Sequence, residues 1–141
     1  MIEILNNQKR FWIKRNKFRE ILAKLIEHYS VESAEITLAF VPNREIKKLN
    51  RQFLQKDNPT DVLSFPVGEK AADGLYYLGD IIISPQIAFS NCRRKPHGLE
   101  RELEILTIHG FLHLLGYEHD RGLEEEEELI RKLLLKDYNE H

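Results

Sequence analysis

The segment LERELEILTIHGFLHLLGYEH, residues 99–119, decides how the rest of the chain is read. From Leu99 to Leu115 it is the longest helical pattern present, apolar on most of its surface after Leu103. Gly116 then ends the helix as a C-terminal glycine does. Upstream, residues 93–98 form an exposed basic loop, and Pro85 opens a short helix through Cys92. Residues 76–84, with Ile81-Ile82-Ile83 near their end, read as a buried strand. Residues 69–74 read as a loop, and residues 62–65 as a strand stopped by Pro66.

Further back, residues 56–60 are turn chemistry, because Pro59 confines Asn58 to extended or turn geometry. Asn43 reads as the N-cap of a helix with Ile46, Leu49, Asn50 and Phe53 on one face. Residues 34–41 alternate Ile36, Leu38 and Phe40 against Glu35, Thr37 and Ala39, the period of a strand. Residues 14–29 place Phe18, Ile21, Leu22, Leu25 and Ile26 at the spacing of a one-sided helix. Residues 2–5 form a short first strand. Downstream, a last helix spans residues 123–138, and its run Glu124–Glu128 reads as a solvated first turn favoured by the helix dipole. The order β-α-β-α-β-β-α-α-α predicts an α+β fold. One domain over residues 1–141 packs its helices on a mixed sheet of about four strands.

Composition narrows the class. The chain has 141 residues, 42% of them hydrophobic and 31% charged, which is the balance of a globular domain rather than a disordered segment. No apolar run approaches the roughly 20 residues of a membrane helix, so no membrane partner is expected. Residues 1–7 turn polar too soon for a signal peptide. The lone Cys92 has no disulfide partner within the chain, and the sequence reads as cytoplasmic. The net charge of -2 hides an asymmetry. Residues 1–56 hold 12 Lys/Arg against 6 Asp/Glu, and residues 57–141 hold 9 against 17. The basic half offers phosphates a surface, unless its cations only solvate two amphipathic helices.

The chemistry lies in His109, His113 and His119. The first two stand at i and i+4, so both rings project from one helix face and can close on a single ion. Gly116 releases the chain, and His119 follows three residues later, able to swing back to the same point. A single histidine on an apolar helix reads as a satisfied core residue. Three at this spacing, among only six in the chain, read as metal ligands, since three unpaired buried imidazoles would be costly. Three imidazoles suit zinc, one ion per chain, and leave a fourth position for a water. His28, His97 and His141 show no such pattern and read as surface residues. The spacing is that of the metzincin zinc helix, H-E-x-x-H-x-x-G-x-x-H, but Gly110 replaces the glutamate that serves there as general base. A zinc metallopeptidase therefore loses its principal catalytic group, and zinc-bound water acting on another substrate is expected.

The stretch His-Gly-Phe-Leu-His-Leu-Leu-Gly-Tyr-Glu-His (109–119) closely resembles the H-G-x-L-H-L-x-G-Y-D-H signature of the YbeY family, bacterial zinc-dependent endoribonucleases. Leu49-Asn50, the segment Lys56 to Pro66 and Leu78-Gly79-Asp80-Ile81 are similar to further blocks of that family, in the same order. The resemblance implies zinc on His109, His113 and His119 and cleavage of single-stranded RNA. It also implies 3′-end processing of small-subunit (16S) ribosomal RNA and ribosome quality control, with the small ribosomal subunit and its assembly factors as partners. Many relatives carry an RNA-contacting arginine where this chain has Leu54, so Arg51, one turn earlier, or Lys56 is assigned that contact. Glu118 stands where aspartate is common; it is a candidate general base or a solvated side chain. Asp80 and Ser64 are candidates to hydrogen-bond the outer nitrogens of the ligating histidines. The alternative outside enzymology is a ribosome-assembly, RNA-binding factor whose zinc only stabilises the fold.

Overall fold

A computed structural model describes residues 1–56 and 60–135. Its elements follow the predicted order: β1 (Ile2–Asn6), α1 (Arg15–His28), β2 (Ala34–Phe40), α2 (Asn43–Leu54), β3 (Val62–Lys70), β4 (Tyr76–Ile83), α3 (Pro85–Cys92), α4 (Leu99–Leu114) and α5 (Leu123–Leu134). The sheet runs β1-β2-β4-β3, with β1, β2 and β4 parallel and β3 antiparallel to β4. The fold is thus α+β on a mixed four-stranded sheet, as expected. None of the described helices is long and apolar enough to cross a membrane.

Strand alternation sorts the helices between the two faces of this sheet. Ile36, Leu38 and Phe40 of β2, with Ile81 and Ile83 of β4, join the main core that α1 and α4 close. Ala39, Val41 and Leu63 point the other way and meet Ile46 of α2 in a second, smaller cluster. On α1 the five predicted apolar positions, Phe18 to Ile26, are its buried residues. Ser84 caps α3 by accepting from the Ile87 amide at 3.3 Å. Near the start of α4 the buried Glu102 accepts from Lys95 Nζ at 2.8 Å and faces His97 Nε2 at 2.6 Å. His97 is therefore a partner of a buried carboxylate, not a free surface residue.

Several boundaries correct the sequence reading. Strand β3 does not stop at Pro66 but continues to Lys70 through a register shift between Pro66 and Glu69. Proline is tolerated there because, among the described residues, β3 is an edge strand paired with β4 alone. Pro42, rather than Asn43, occupies the N-cap of α2, and Asn43 Oδ1 instead accepts from Ser84 Oγ at 2.6 Å. Phe53, predicted on the buried face of α2, is 57% exposed. The turn at residues 57–59 and the end of the last helix beyond residue 135 lie outside the described residues.

Gly110 lies where α4 comes closest to the sheet. A Cβ added there would sit 2.7 Å from Ile81 Cγ2 and 3.2 Å from Ser64 Oγ. The side chain of Ile81 is fully buried and cannot step aside. Alanine at this position gains about 1 kcal/mol in helix propensity. The overpacking it causes costs about 1–3 kcal/mol and outweighs that gain. Gly110→Ala is expected to lower the thermal midpoint by several degrees in a calorimetric scan. A midpoint equal to or above that of the parent would show that α4 has room to spare.

Candidate metal centre

The three histidines arrive from two directions. His109 and His113 share one face of α4, with ring centroids 4.5 Å apart and Nε2 atoms separated by 3.0 Å. Gly116, at φ 101°, takes the chain out of the helix as its sequence position predicts. That turn brings the His119 ring to 6.5 Å from His109 and 6.4 Å from His113. His119 stands largely in solvent, and among the described residues no three His, Cys, Asp or Glu side chains close into a metal-binding group. Two of the three candidate ligands thus converge, and the third stands beside them.

Each imidazole meets a carboxylate through Nδ1. His109 Nδ1 donates to Glu127 Oε1, and His119 Nδ1 donates to Glu124 Oε1 at 2.6 Å. His113 Nδ1 lies 3.5 Å from Glu118 Oε2. An ionised carboxylate only accepts, so the hydrogen bonds of His109 and His119 keep the proton on Nδ1 and leave the Nε2 lone pair for a ligand. The electrostatics of the two rings His113 and His119 differ in direction. Burial, and then the neighbouring His109 ring, hold the pKa of His113 below the ordinary histidine value. The hydrogen bond to Glu124 raises that of His119. The Nε2 atoms of His109 and His113 stand 3.0 Å apart, close enough to share one proton or one cation. Nitrogens about 2.0–2.1 Å from a shared tetrahedral zinc stand about 3.3 Å apart, so the spacing of the His109 and His113 pair suits that ion.

The carboxylates themselves were misread from sequence. The Glu124–Glu128 run is solvated only at its start: Glu124 and Glu125 are exposed in the first turn, whereas Glu127 is 9% exposed and Tyr29 Oη donates to Glu126. Glu127 also accepts from Arg131 Nη2 at 2.8 Å, which leaves its other oxygen for His109. A signal for it existed. Leu123, Glu127 and Ile130 are the buried positions of α5 and fall on one stripe, so Glu127 replaces an apolar residue on the face that packs inward.

The other candidates separate. Ser64 lies on β3 opposite Ile81, on the α4 side of the sheet, but its hydroxyl donates to the Gly110 carbonyl at 3.2 Å rather than to an imidazole. Asp80 precedes Ile81 on β4, and strand alternation turns it to the opposite face. There its carboxylate accepts from Tyr77 Oη. The oxygens that meet the histidines therefore come from Glu127, Glu118 and Glu124, and Asp80 is excluded from that role by one residue of register. Glu118 lines the same cleft as His109 and His113, a space of about 240 Å³ walled also by Leu54, Ser64 and Pro66. Arg51 and Lys56 are exposed at the C-terminal end of α2, beside the wall that Leu54 provides. The crowding at Gly110 leaves no room for the glutamate of the metzincin pattern.

Glu127→Ala is expected to weaken zinc binding about 10- to 100-fold in chelator competition while the secondary structure persists. Glu127→Gln, which keeps a neutral acceptor, is expected to fall between the two. Equal affinities in all three proteins would show that Glu127 does not orient His109.

Comparison with known proteins gives a consistent result. Residues 3–136 match the family described as endoribonuclease YbeY. A protein named endoribonuclease YbeY from Aquifex aeolicus is 37% identical over 123 residues, covering 87% of this chain and 81% of that protein. Another of the same name from Syntrophotalea carbinolica is 40% identical over 128 residues, covering 89% and 85%. A solution structure of a Thermotoga maritima protein superposes with a TM-score of 0.62 at 30% identity, covering 94% of this chain and 89% of that one.

Proposed function

The chain belongs to the endoribonuclease YbeY family, and on that premise we propose that it is a zinc-dependent endoribonuclease that cuts single-stranded RNA at the cleft between α4 and β3. The observation that carries this reading is the pair of Nε2 atoms 3.0 Å apart in an open cleft, their rings oriented from behind by Glu127 and Glu118. His109, His113 and His119 would hold the ion. Zinc held there would supply Lewis acidity toward a phosphodiester and lower the pKa of a coordinated water. The chain's own groups do the rest. The outer carboxylates of Glu127 and Glu124 hold the Nδ1 protons of His109 and His119 and so fix the direction of Nε2. Glu118, half in solvent beside His113, is the group placed to take up a proton at the cleft mouth. Arg51 and Lys56 would hold the RNA backbone at the end of α2.

The substrate class follows from the family, and the biological task assigned to it is maturation at the 3′ end of small-subunit ribosomal RNA, with the small subunit and its assembly factors as partners. The basic first 56 residues, with 12 Lys/Arg against 6 Asp/Glu, support a polyanionic ligand. An RNA carrying that 3′-end sequence is the substrate for the tests below.

Elemental analysis of untagged protein is expected to give about one zinc per chain, and none in a His109→Ala, His113→Ala variant. His113→Ala alone is expected to lose RNA cleavage, down to the level of chelator-treated protein, with circular dichroism and RNA binding retained. Cleavage that survives in this variant would remove the metal from the reaction. Collapse of the fold with loss of zinc would make the ion a structural element of a binding factor.

For Arg51→Ala, Lys56→Ala, the slope of log affinity against log salt is expected to shrink by about 1.4, since each contact to a single strand contributes about 0.7. An unchanged slope would place the phosphate contacts elsewhere.

A further inference from the structure

Phe53 sits where a solvated side chain would be expected. It is 57% exposed at the last turn of α2, although the helix period assigns it to the buried face with Ile46 and Asn50. Its ring stands against Phe65 of β3 at 5.4 Å between centroids and an interplanar angle of 66°. Phe65 is half-buried and packs against the small cluster beneath α2, so Phe53 rests on a fixed support. The pair lies outside the metal cleft, next in the chain to residues that wall it. Leu54, the residue after Phe53, lines the cleft from α2; Ser64 and Pro66, on either side of Phe65, line it from β3. The same helix carries Arg44, Lys47, Lys48 and Arg51 against the single acid Glu45, all exposed. Gln55, at φ 57°, ends the helix and turns the chain beside the cleft.

We propose that Phe53, supported by Phe65, is a stacking platform for one unpaired RNA base flanking the phosphodiester that lies over His109 and His113. This rests on the endoribonuclease reading and adds to it the residue that recognises a single strand. Every base has a π-face, so such a contact is sequence-tolerant, while in a duplex that face is already covered. The cations of α2 draw the backbone toward the helix, and the exposed ring then holds a base splayed from it. Exposed aromatic surface beside a row of cations is the combination by which single strands are held elsewhere.

The test uses the metal-loaded protein and a single-stranded RNA of about ten nucleotides cut at one site. It is compared with a series carrying one abasic position on either side of that site. Base–aromatic stacking predicts that Phe53→Leu, which keeps an apolar cover over Phe65, raises KM about tenfold with kcat nearly unchanged. Phe53→Tyr is expected to restore KM. One abasic position is expected to cost the parent about tenfold and to cost Phe53→Leu nothing further, because the same contact has been removed twice. A 2-aminopurine at that position is expected to report stacking by its quenched fluorescence in the parent and to lose that quenching in the leucine variant. The salt slope is expected to be the same in both. An abasic penalty of equal size in the parent and in Phe53→Leu would overturn the proposal while leaving the endoribonuclease reading intact. A parent that cuts no RNA when loaded with zinc would overturn both.

Discussion

Where α4 passes over β3 and β4, the absent side chain of Gly110 lets the helix backbone approach Ile81 and Ser64 within van der Waals range, and the Ser64 hydroxyl closes on the Gly110 carbonyl. His109 is the residue before this contact, and His113 is one helical turn beyond it. A helix held farther from the sheet would lift both rings away from the wall that β3 supplies. The main core works to the same end: Ile108, Phe111 and Leu112, on either side of the histidines, are fully buried. The surface of α4 that carries His109 and His113 is thus what remains after its other faces are committed to the core. The same crowding at Gly110 excludes a carboxylate at the position next to the first histidine.

A second constraint comes from α5. Placing ionised carboxylates in a low-dielectric setting is unfavourable unless each finds a partner. Glu127 satisfies this with Arg131 on one oxygen and His109 on the other. The acidic helix therefore has two roles that composition alone merges into one. Its outer positions meet water, and its inner ones set the tautomer and direction of the imidazoles. With Glu118 and Glu124, the three histidines are backed by three carboxylates that all follow them in the chain. This is compatible with a cationic ion in front of the rings and a negatively charged second half behind them, while the cations of α2 remain on the side from which RNA would arrive.

The opening of the cleft depends on the edge of the sheet. Among the described residues strand β3 has no partner beyond β4, so Ser64 and Pro66 form a wall that faces solvent rather than another strand. The end of α2 supplies the opposite lip with Leu54. These two elements belong to the smaller cluster on the far face of the sheet, away from α1 and α4. The cleft is therefore a junction between the two layers of the fold, a common position for a site that must admit a polymer from outside.

Most of the fold and the three histidines could be read directly, because both depend on local spacing. The stripe Phe18 to Ile26, the alternation of Ile36, Leu38 and Phe40, and the four-residue step from His109 to His113 are properties of a single helix or strand. Gly116 is legible for the same reason, since its positive φ is a local backbone requirement. What required the tertiary structure was any partner chosen across elements. Glu127 meets His109 only because α5 packs on α4. Asp80 is turned from the site because β4 registers Ile81, not its neighbour, against Gly110. Proline is admitted at residue 66 because β3 lies at an edge, and Phe53 is exposed because α2 ends before its last turn is covered. Sequence periodicity states which face of an element is apolar. Which side chains then come within hydrogen-bonding distance of each other is decided by the packing of elements far apart in the chain.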